Sequence, residues 1–138
     1  GSYDETLRIW DLTDMNNVTS RVLRGHHDWV YSVMKLNETT IVSVSEDNTL
    51  RVWNLLNDTS RALHGHTRSV FSVMKLNDTT IVSGSNDTTL QMWDLTNNVT
   101  SRVLRGHTNG VRSVMKLNET TIVSGSSDRT LRVWYGVH

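Results

Sequence analysis

The 138-residue chain balances 14 Lys and Arg against 14 Asp and Glu, so no global field draws it to nucleic acid or to an anionic membrane surface. It has no cysteine, which removes disulfide scaffolding and thiolate chemistry and fits a reducing compartment. No apolar run approaches a membrane span and no leader-like segment stands at the start, so composition predicts a soluble, intracellular, cytoplasmic protein.

Taken in chain order, the first fragment, Gly1-Ser2-Tyr3-Asp4-Glu5-Thr6-Leu7, aligns on Gly84-Ser85-Asn86-Asp87-Thr88-Thr89-Leu90 and leads into a strand at Trp10. Gly1-Ser2 reads either as repeat sequence or as an expression scar. Residues 30–36, Val-Tyr-Ser-Val-Met-Lys-Leu, are rich in β-branched and apolar side chains and stop at Asn37-Glu38, which predicts a strand and a tight turn. Residues 40–45 form the next predicted strand, ended by a Ser-Glu-Asp-Asn turn, and residues 49–55 the third. After a polar stretch of Asn, Asp and Thr, residues 60–63 predict a short outer edge strand.

The same order then recurs about every 41 residues. Ser-Arg-Val-Leu-Arg-Gly-His opens at Ser20 and Ser101, with a near copy at Ser60; Ser-Val-Met-Lys-Leu-Asn recurs from Ser32, Ser72 and Ser113; Thr-Leu-x-x-Trp closes at Trp10, Trp53, Trp93 and Trp134. No stretch keeps a 3.6-residue period and proline is absent, so the chain is all-β. Each unit is too small to bury its own apolar face, and the fold must come from stacking copies side by side.

Gly25-His26, Gly65-His66 and Gly106-His107, the Ser-x-Ser-x-Asp turns ending at Asp47, Asp87 and Asp128, and Trp53, Trp93 and Trp134 together resemble the WD-repeat (WD40) β-propeller family. The resemblance covers essentially the whole chain. Only Trp10 and Trp93 carry the family's following Asp, as Asp11 and Asp94; Trp53 is followed by Asn54 and Trp134 by Tyr135. It implies four-stranded antiparallel blades, strands a to d from a central channel outward. The chain then reads c-d, a-b-c-d, a-b-c-d, a-b-c, as a partial blade at 1–19 and repeats at 20–59, 60–100 and 101–138.

Each repeat holds a tetrad: His26, Ser43, Asp47 and Trp53; His66, Ser83, Asp87 and Trp93; His107, Ser124, Asp128 and Trp134. Ser, His and Asp are ingredients of nucleophilic catalysis. The resemblance implies instead a buried hydrogen-bond chain from indole to hydroxyl to imidazole to carboxylate, and no Gly-x-Ser-x-Gly elbow is present. No phosphate loop or dinucleotide fingerprint implies a cofactor. His64 and His66 are spaced to share a strand face and His26 adjoins His27, but no carboxylate or cysteine recurs beside them at a ligand spacing, so no metal site is expected. Asn-x-Ser/Thr recurs at Asn17, Asn37, Asn57, Asn77, Asn86, Asn98 and Asn118; these are glycosylation acceptors in a secreted protein and turn residues otherwise, and the turn reading suits a copied repeat better. Arg21, Arg24, Arg61, Arg102 and Arg105 fall on the outer strands, where charge prevents sheet-to-sheet pairing; an anion-binding rim is the alternative.

Differences between the copies carry the functional signal. After Gly-His the repeats read His27-Asp28-Trp29-Val30-Tyr31, Thr67-Arg68-Ser69-Val70-Phe71 and Thr108-Asn109-Gly110-Val111-Arg112, and the residue before the turn Asp changes from Tyr3 to Glu46, Asn86 and Ser127. In the family this region lies on the narrow face, which commonly holds peptide motifs. Trp29, Tyr31, Glu46, Phe71, Asn86 and Arg112 are therefore the candidate partner-binding residues, with drift of surface loops as the rival explanation.

The expected function is a non-catalytic interaction scaffold that presents this face to a peptide or protein. The alternatives are a truncated or recently duplicated array whose one property is self-assembly, and a lectin-like or enzymatic propeller, for which no site is evident. Closed propellers typically need four to eight blades, so about three repeats predict a ring closed by homo-oligomerisation, a dimer rather than a trimer, unless the chain is a piece of a larger propeller. The Trp10 and Trp134 strands are equivalent. In such a ring the Trp10 strand is expected to be displaced while residues 20–23 supply strand d.

Overall fold

The computed structural model describes residues 3–137; Gly1-Ser2 and His138 lie outside the described residues, and with them the reading of Gly1-Ser2 as repeat sequence. Thirteen strands follow one another: β1 (Thr6–Asp11), β2 (Thr19–Arg24), β3 (Val30–Asn37), β4 (Thr40–Ser45), β5 (Leu50–Asn54), β6 (Thr59–Leu63), β7 (Val70–Asn77), β8 (Thr80–Ser85), β9 (Leu90–Asp94), β10 (Val99–Leu104), β11 (Val111–Asn118), β12 (Thr121–Ser126) and β13 (Leu131–Trp134). They form antiparallel sheets in the orders β1-β2, β3-β4-β5-β6, β7-β8-β9-β10 and β11-β12-β13, and no helix occurs among the described residues. This is the strand count of two full blades, a c-d pair and an a-b-c triple.

Short turns fix the meander. In Asn37, Asn77 and Asn118 the side-chain oxygen accepts the backbone N–H of Thr39, Thr79 or Thr120 at 3.0 Å, so these Asn-x-Thr triplets are Asx turns joining strands a and b. In the turn that leads into each strand c the turn Asp is followed by a residue with positive φ: Glu5, Asn48, Thr88 and Arg129, at 70° to 76°. Strand a carries a bulge at the same place in each copy, between Val30 and Ser32, Val70 and Ser72, Val111 and Ser113.

The core lies between the sheets. Leu36, Val42, Val44, Leu50, Val52 and Leu63 of one sheet pack against Val70, Ile81 and Trp93 of the next, and Leu76, Val82, Leu90, Met92 and Leu104 then meet Val111 and Ile122. Leu7, Leu23, Val30 and Trp53 form the smaller leading cluster. Each fully buried Leu or Val contributes about 1.5–3 kcal/mol, and that contribution depends on the neighbouring blade being present.

Polar straps repeat with the same offset. Arg21 Nη2 donates to the Leu55 carbonyl at 3.0 Å and Arg61 Nη2 to the Leu95 carbonyl at 3.3 Å, with Arg102 reaching the Gly136 carbonyl at 3.5 Å. Lys75 Nζ donates to the Leu36 carbonyl at 3.0 Å and Lys116 Nζ to the Leu76 carbonyl at 2.9 Å. The view of the outer-strand arginines as charges that merely block pairing therefore needs correcting for Arg21, Arg61 and Arg102, which tie each strand d to the following blade. Arg24 is exposed on β2, and Arg105, expected on an outer strand, is exposed just beyond the end of β10 at Leu104.

One further expectation differs from what is observed. β6 ends at Leu63, so His64 and His66 sit in the loop beyond it; His64 is exposed while His66 is buried, and the two share no strand face. The Trp10 strand pairs with β2 from Thr6↔Arg24 to Asp11↔Thr19, the c-d pair of the partial blade.

Candidate functional site

Each tetrad is assembled from the loop entering strand a, strand b, the b–c turn and strand c. In the first, the Trp53 indole N–H donates to Ser43 Oγ at 2.8 Å, the hydroxyl meets His26 Nε2 at 2.6 Å, and His26 Nδ1 lies 2.9 Å from Asp47 Oδ2. The second repeats this with Trp93 to Ser83 at 2.8 Å, Ser83 to His66 at 2.7 Å and His66 to Asp87 at 2.7 Å. The third joins Trp134, Ser124, His107 and Asp128 at 2.8, 2.7 and 2.7 Å. All twelve residues expected to form tetrads are thus brought together.

The carboxylates are acceptors of several donors at once. Burial pushes the Asp47 and Asp87 carboxyls up, but hydrogen bonds from His26 or His66 and from Thr49 or Thr89 outweigh it and hold both well below the usual carboxylate range. Around Asp128 the Thr130 hydroxyl, then the His107 ring and the backbone of Thr108, hold its carboxyl down likewise. An ionised carboxylate only accepts, so the imidazole Nδ1 donates to it; the serine oxygen accepts the indole N–H, and its own O–H faces Nε2. Ser43, Ser83 and Ser124 are completely buried, which leaves no path for a substrate to their hydroxyls. Among the described residues no group of three or more His, Cys, Asp or Glu is placed to hold a metal ion, and no helix is long and apolar enough to cross a membrane.

The variable residues form a separate constellation, and backbone hydrogen bonds explain why they meet. Glu46 N donates to the Trp29 carbonyl at 2.8 Å, Asn86 N to Ser69 at 2.9 Å and Ser127 N to Gly110 at 2.9 Å, so the residue before each turn Asp lies beside the loop that leads into strand a. Tyr31 donates its O–H to Glu46 Oε2. Burial, and the Glu46 carboxylate that accepts this proton, push the Tyr31 phenol up to about 12. The Tyr31 ring meets Phe71 edge-on at 5.2 Å, and the Arg112 guanidinium lies 4.2 Å from the Phe71 centroid while its Nε donates to Ser127 Oγ at 2.9 Å. Corresponding positions of three strands a therefore make one run, Tyr31–Phe71–Arg112.

Trp29 stands at the start of this rim, its ring tilted 43° against that of Tyr3 with centroids 4.5 Å apart. Asn86 fills the space that a side chain at Gly110 would need: a Cβ there would come within 2.6 Å of Asn86 Oδ1. Sequence reasoning missed Tyr3 and Ser127 as members of the rim, although both occupy the variable turn position; their equivalence to Glu46 and Asn86 was the available signal.

The family profile described as WD domain, G-beta repeat matches residues 17–54, 57–94 and 98–135. Among curated proteins the chain is similar to cell division control protein 4 of Candida albicans, with 47% identity over 55 residues, 39% of this chain and 8% of that protein. It is also similar to human WD repeat and SOCS box-containing protein 1, 42% identical over 55 residues, 39% of this chain and 13% of the relative. Human WD repeat-containing protein 37 is 39% identical over 56 residues, 41% of this chain and 11% of the relative. The chain thus spans about a tenth of the length of these relatives. With three matched repeats, thirteen strands in blade order and three complete tetrads, the chain belongs to the WD domain, G-beta repeat family.

Proposed function

We propose that this chain is a non-catalytic interaction module that takes a protein or peptide on the rim formed by Trp29, Tyr31, Glu46, Phe71, Asn86 and Arg112. The observation that carries the reading is the Tyr31–Phe71–Arg112 run: it is built from the positions at which otherwise near-identical repeats differ, and its members contact one another across three blades. Aromatic rings offer large contact area at small entropic cost, and the Arg112 fork is suited to a carboxylate or phosphate on the partner. The family's character as a repeat scaffold supports the reading. The complete burial of the tetrad serines supports the absence of hydrolytic chemistry.

An array of short peptides tests it. Wild type is expected to retain a discrete set, and Trp29→Ala with Phe71→Ala is expected to lose that set with an unchanged melting transition. Equal retention by both proteins, or none by either, would overturn the reading.

A further inference from the structure

The loops that lead into β3 and β11 share one local arrangement. Trp29 N donates to Asp28 Oδ1 at 2.8 Å, and Gly110 N donates to Asn109 Oδ1 at 2.7 Å. In each, a backbone N–H points at the side chain of the residue before it. The chemistry open to the two loops differs. Only the second sets an amide before a glycine, and Asn109-Gly110 is the one Asn-Gly pair in the chain. In the first loop a carboxylate has no ammonia to expel, and the attacking nitrogen would belong to a bulky tryptophan.

An asparagine closes on the next backbone nitrogen through a five-membered imide, in which Cγ takes the place of the amide proton. A Gly110 N–H directed at the Asn109 side chain therefore already lies along the bond to be formed. The loop is held in that position by its neighbours: the Asn109 carbonyl accepts the Ser126 hydroxyl at 3.1 Å, the Gly110 carbonyl accepts Ser127 N–H at 2.9 Å, and Thr108 N donates to Asp128 Oδ2 at 3.1 Å. Fixing both reacting groups in an attack geometry removes the conformational search that a free chain has to make. Gly110 brings no side chain against the attacked carbon, and Asn86 Oδ1 stands where its Cβ would be. Asn109 itself is exposed, so base and water reach it.

We propose that Asn109 is a site of spontaneous modification, at which the Gly110 nitrogen closes on Cγ and the amide is converted to a carboxylate. Hydroxide takes the Gly110 amide proton, the N–Cγ bond forms, and the Cγ–Nδ2 bond breaks as Nδ2 takes a proton from water and leaves as ammonia. A water molecule then opens the imide at one of its two carbonyls. Cleavage of the new N–Cγ bond gives aspartate; cleavage of the original backbone C–N bond gives isoaspartate, with the chain running through the former side chain. Nothing is oxidised or reduced, and water is the only reagent consumed. Either product adds a negative charge to the loop whose Gly110 carbonyl holds Ser127, the residue that in turn holds Arg112. The inference stands apart from what the rim binds.

The test is incubation of the full chain in mildly alkaline buffer at physiological temperature, followed by tryptic digestion. Cleavage after Arg105 and Arg112 isolates residues 106–112, in which Asn109 is the sole asparagine. This peptide is expected to split into amide, aspartyl and isoaspartyl forms ahead of every other asparagine-bearing peptide, with the isoaspartyl form labelled by an isoaspartyl carboxyl methyltransferase. An Asn109 that stays amide as long as the other asparagines overturns the site, and aspartate without isoaspartate overturns the imide, since direct hydrolysis gives aspartate alone. A synthetic peptide of residues 106–112 separates geometry from sequence. The folded chain is expected to convert at least as fast as the free peptide; a slower folded chain overturns the poised geometry.

Discussion

Replacing His66 with Ala isolates what a tetrad contributes. The imidazole is buried, makes hydrogen bonds of 2.7 Å to both Asp87 and Ser83, and lies tilted against the Trp93 ring with centroids 6.0 Å apart. Two hydrogen bonds at about 1 kcal/mol each, plus a ring-sized cavity beside Trp93, give a loss of about 2–4 kcal/mol. The loss stays below that of a stranded buried charge because Asp87 keeps the Thr67 N–H at 3.1 Å, the Thr89 N–H at 2.9 Å and the Thr89 hydroxyl at 2.6 Å. Urea unfolding followed by tryptophan fluorescence, at fixed chain concentration, is expected to show a midpoint lowered by roughly 1–2 M. An unfolding free energy within about 0.5 kcal/mol of wild type would refute the reasoning, because losses of that size are typical of ordinary surface substitutions. Loss of an esterase activity with an unmoved midpoint would make the tetrad catalytic.

The Asp47, Asp87 and Asp128 carboxyls are held below the ordinary range in the folded chain, so their contribution is present in full above about pH 4–5 and is lost as pH falls through and below pH 4. Urea midpoints at pH 7, 5 and 3.5 are expected to drop at the last step, and less steeply in Asp87→Asn; a flat profile contradicts the assignment. Thr88 is a β-branched residue at φ 76°, in a turn position where Asn48 sits at φ 71°. Thr88→Asn is expected to stabilise by about 0.5–1 kcal/mol, read as a higher urea midpoint, and a lowered midpoint would show that the Thr88 side chain contributes something its backbone strain hides.

The strands were legible because alternating apolar runs such as residues 30–36 end at Asx turns, and both signals are local. The tetrads were legible through the resemblance, residue by residue. The straps were not: Arg61 and Lys75 bond backbone carbonyls of other blades, at Leu95 and Leu36, and a carbonyl has no signature in sequence. The contact of Phe71 with both Tyr31 and Arg112 depends on strands a lying side by side, which the repeat implies but whose side-chain rotamers it leaves open. The pairing of β1 with β2 was legible as the c-d pair that the resemblance implies.

The claim that the variable rim, and not the tetrads, is the functional surface is tested most directly by the five indole N–H resonances of the chain. On titration with a peptide retained by the array, the Trp29 signal is expected to shift progressively and saturate, while the Trp53 and Trp93 signals, buried and bonded to Ser43 and Ser83, stay in place. A ligand that moves Trp53 and Trp93 and leaves Trp29 unchanged would contradict the account.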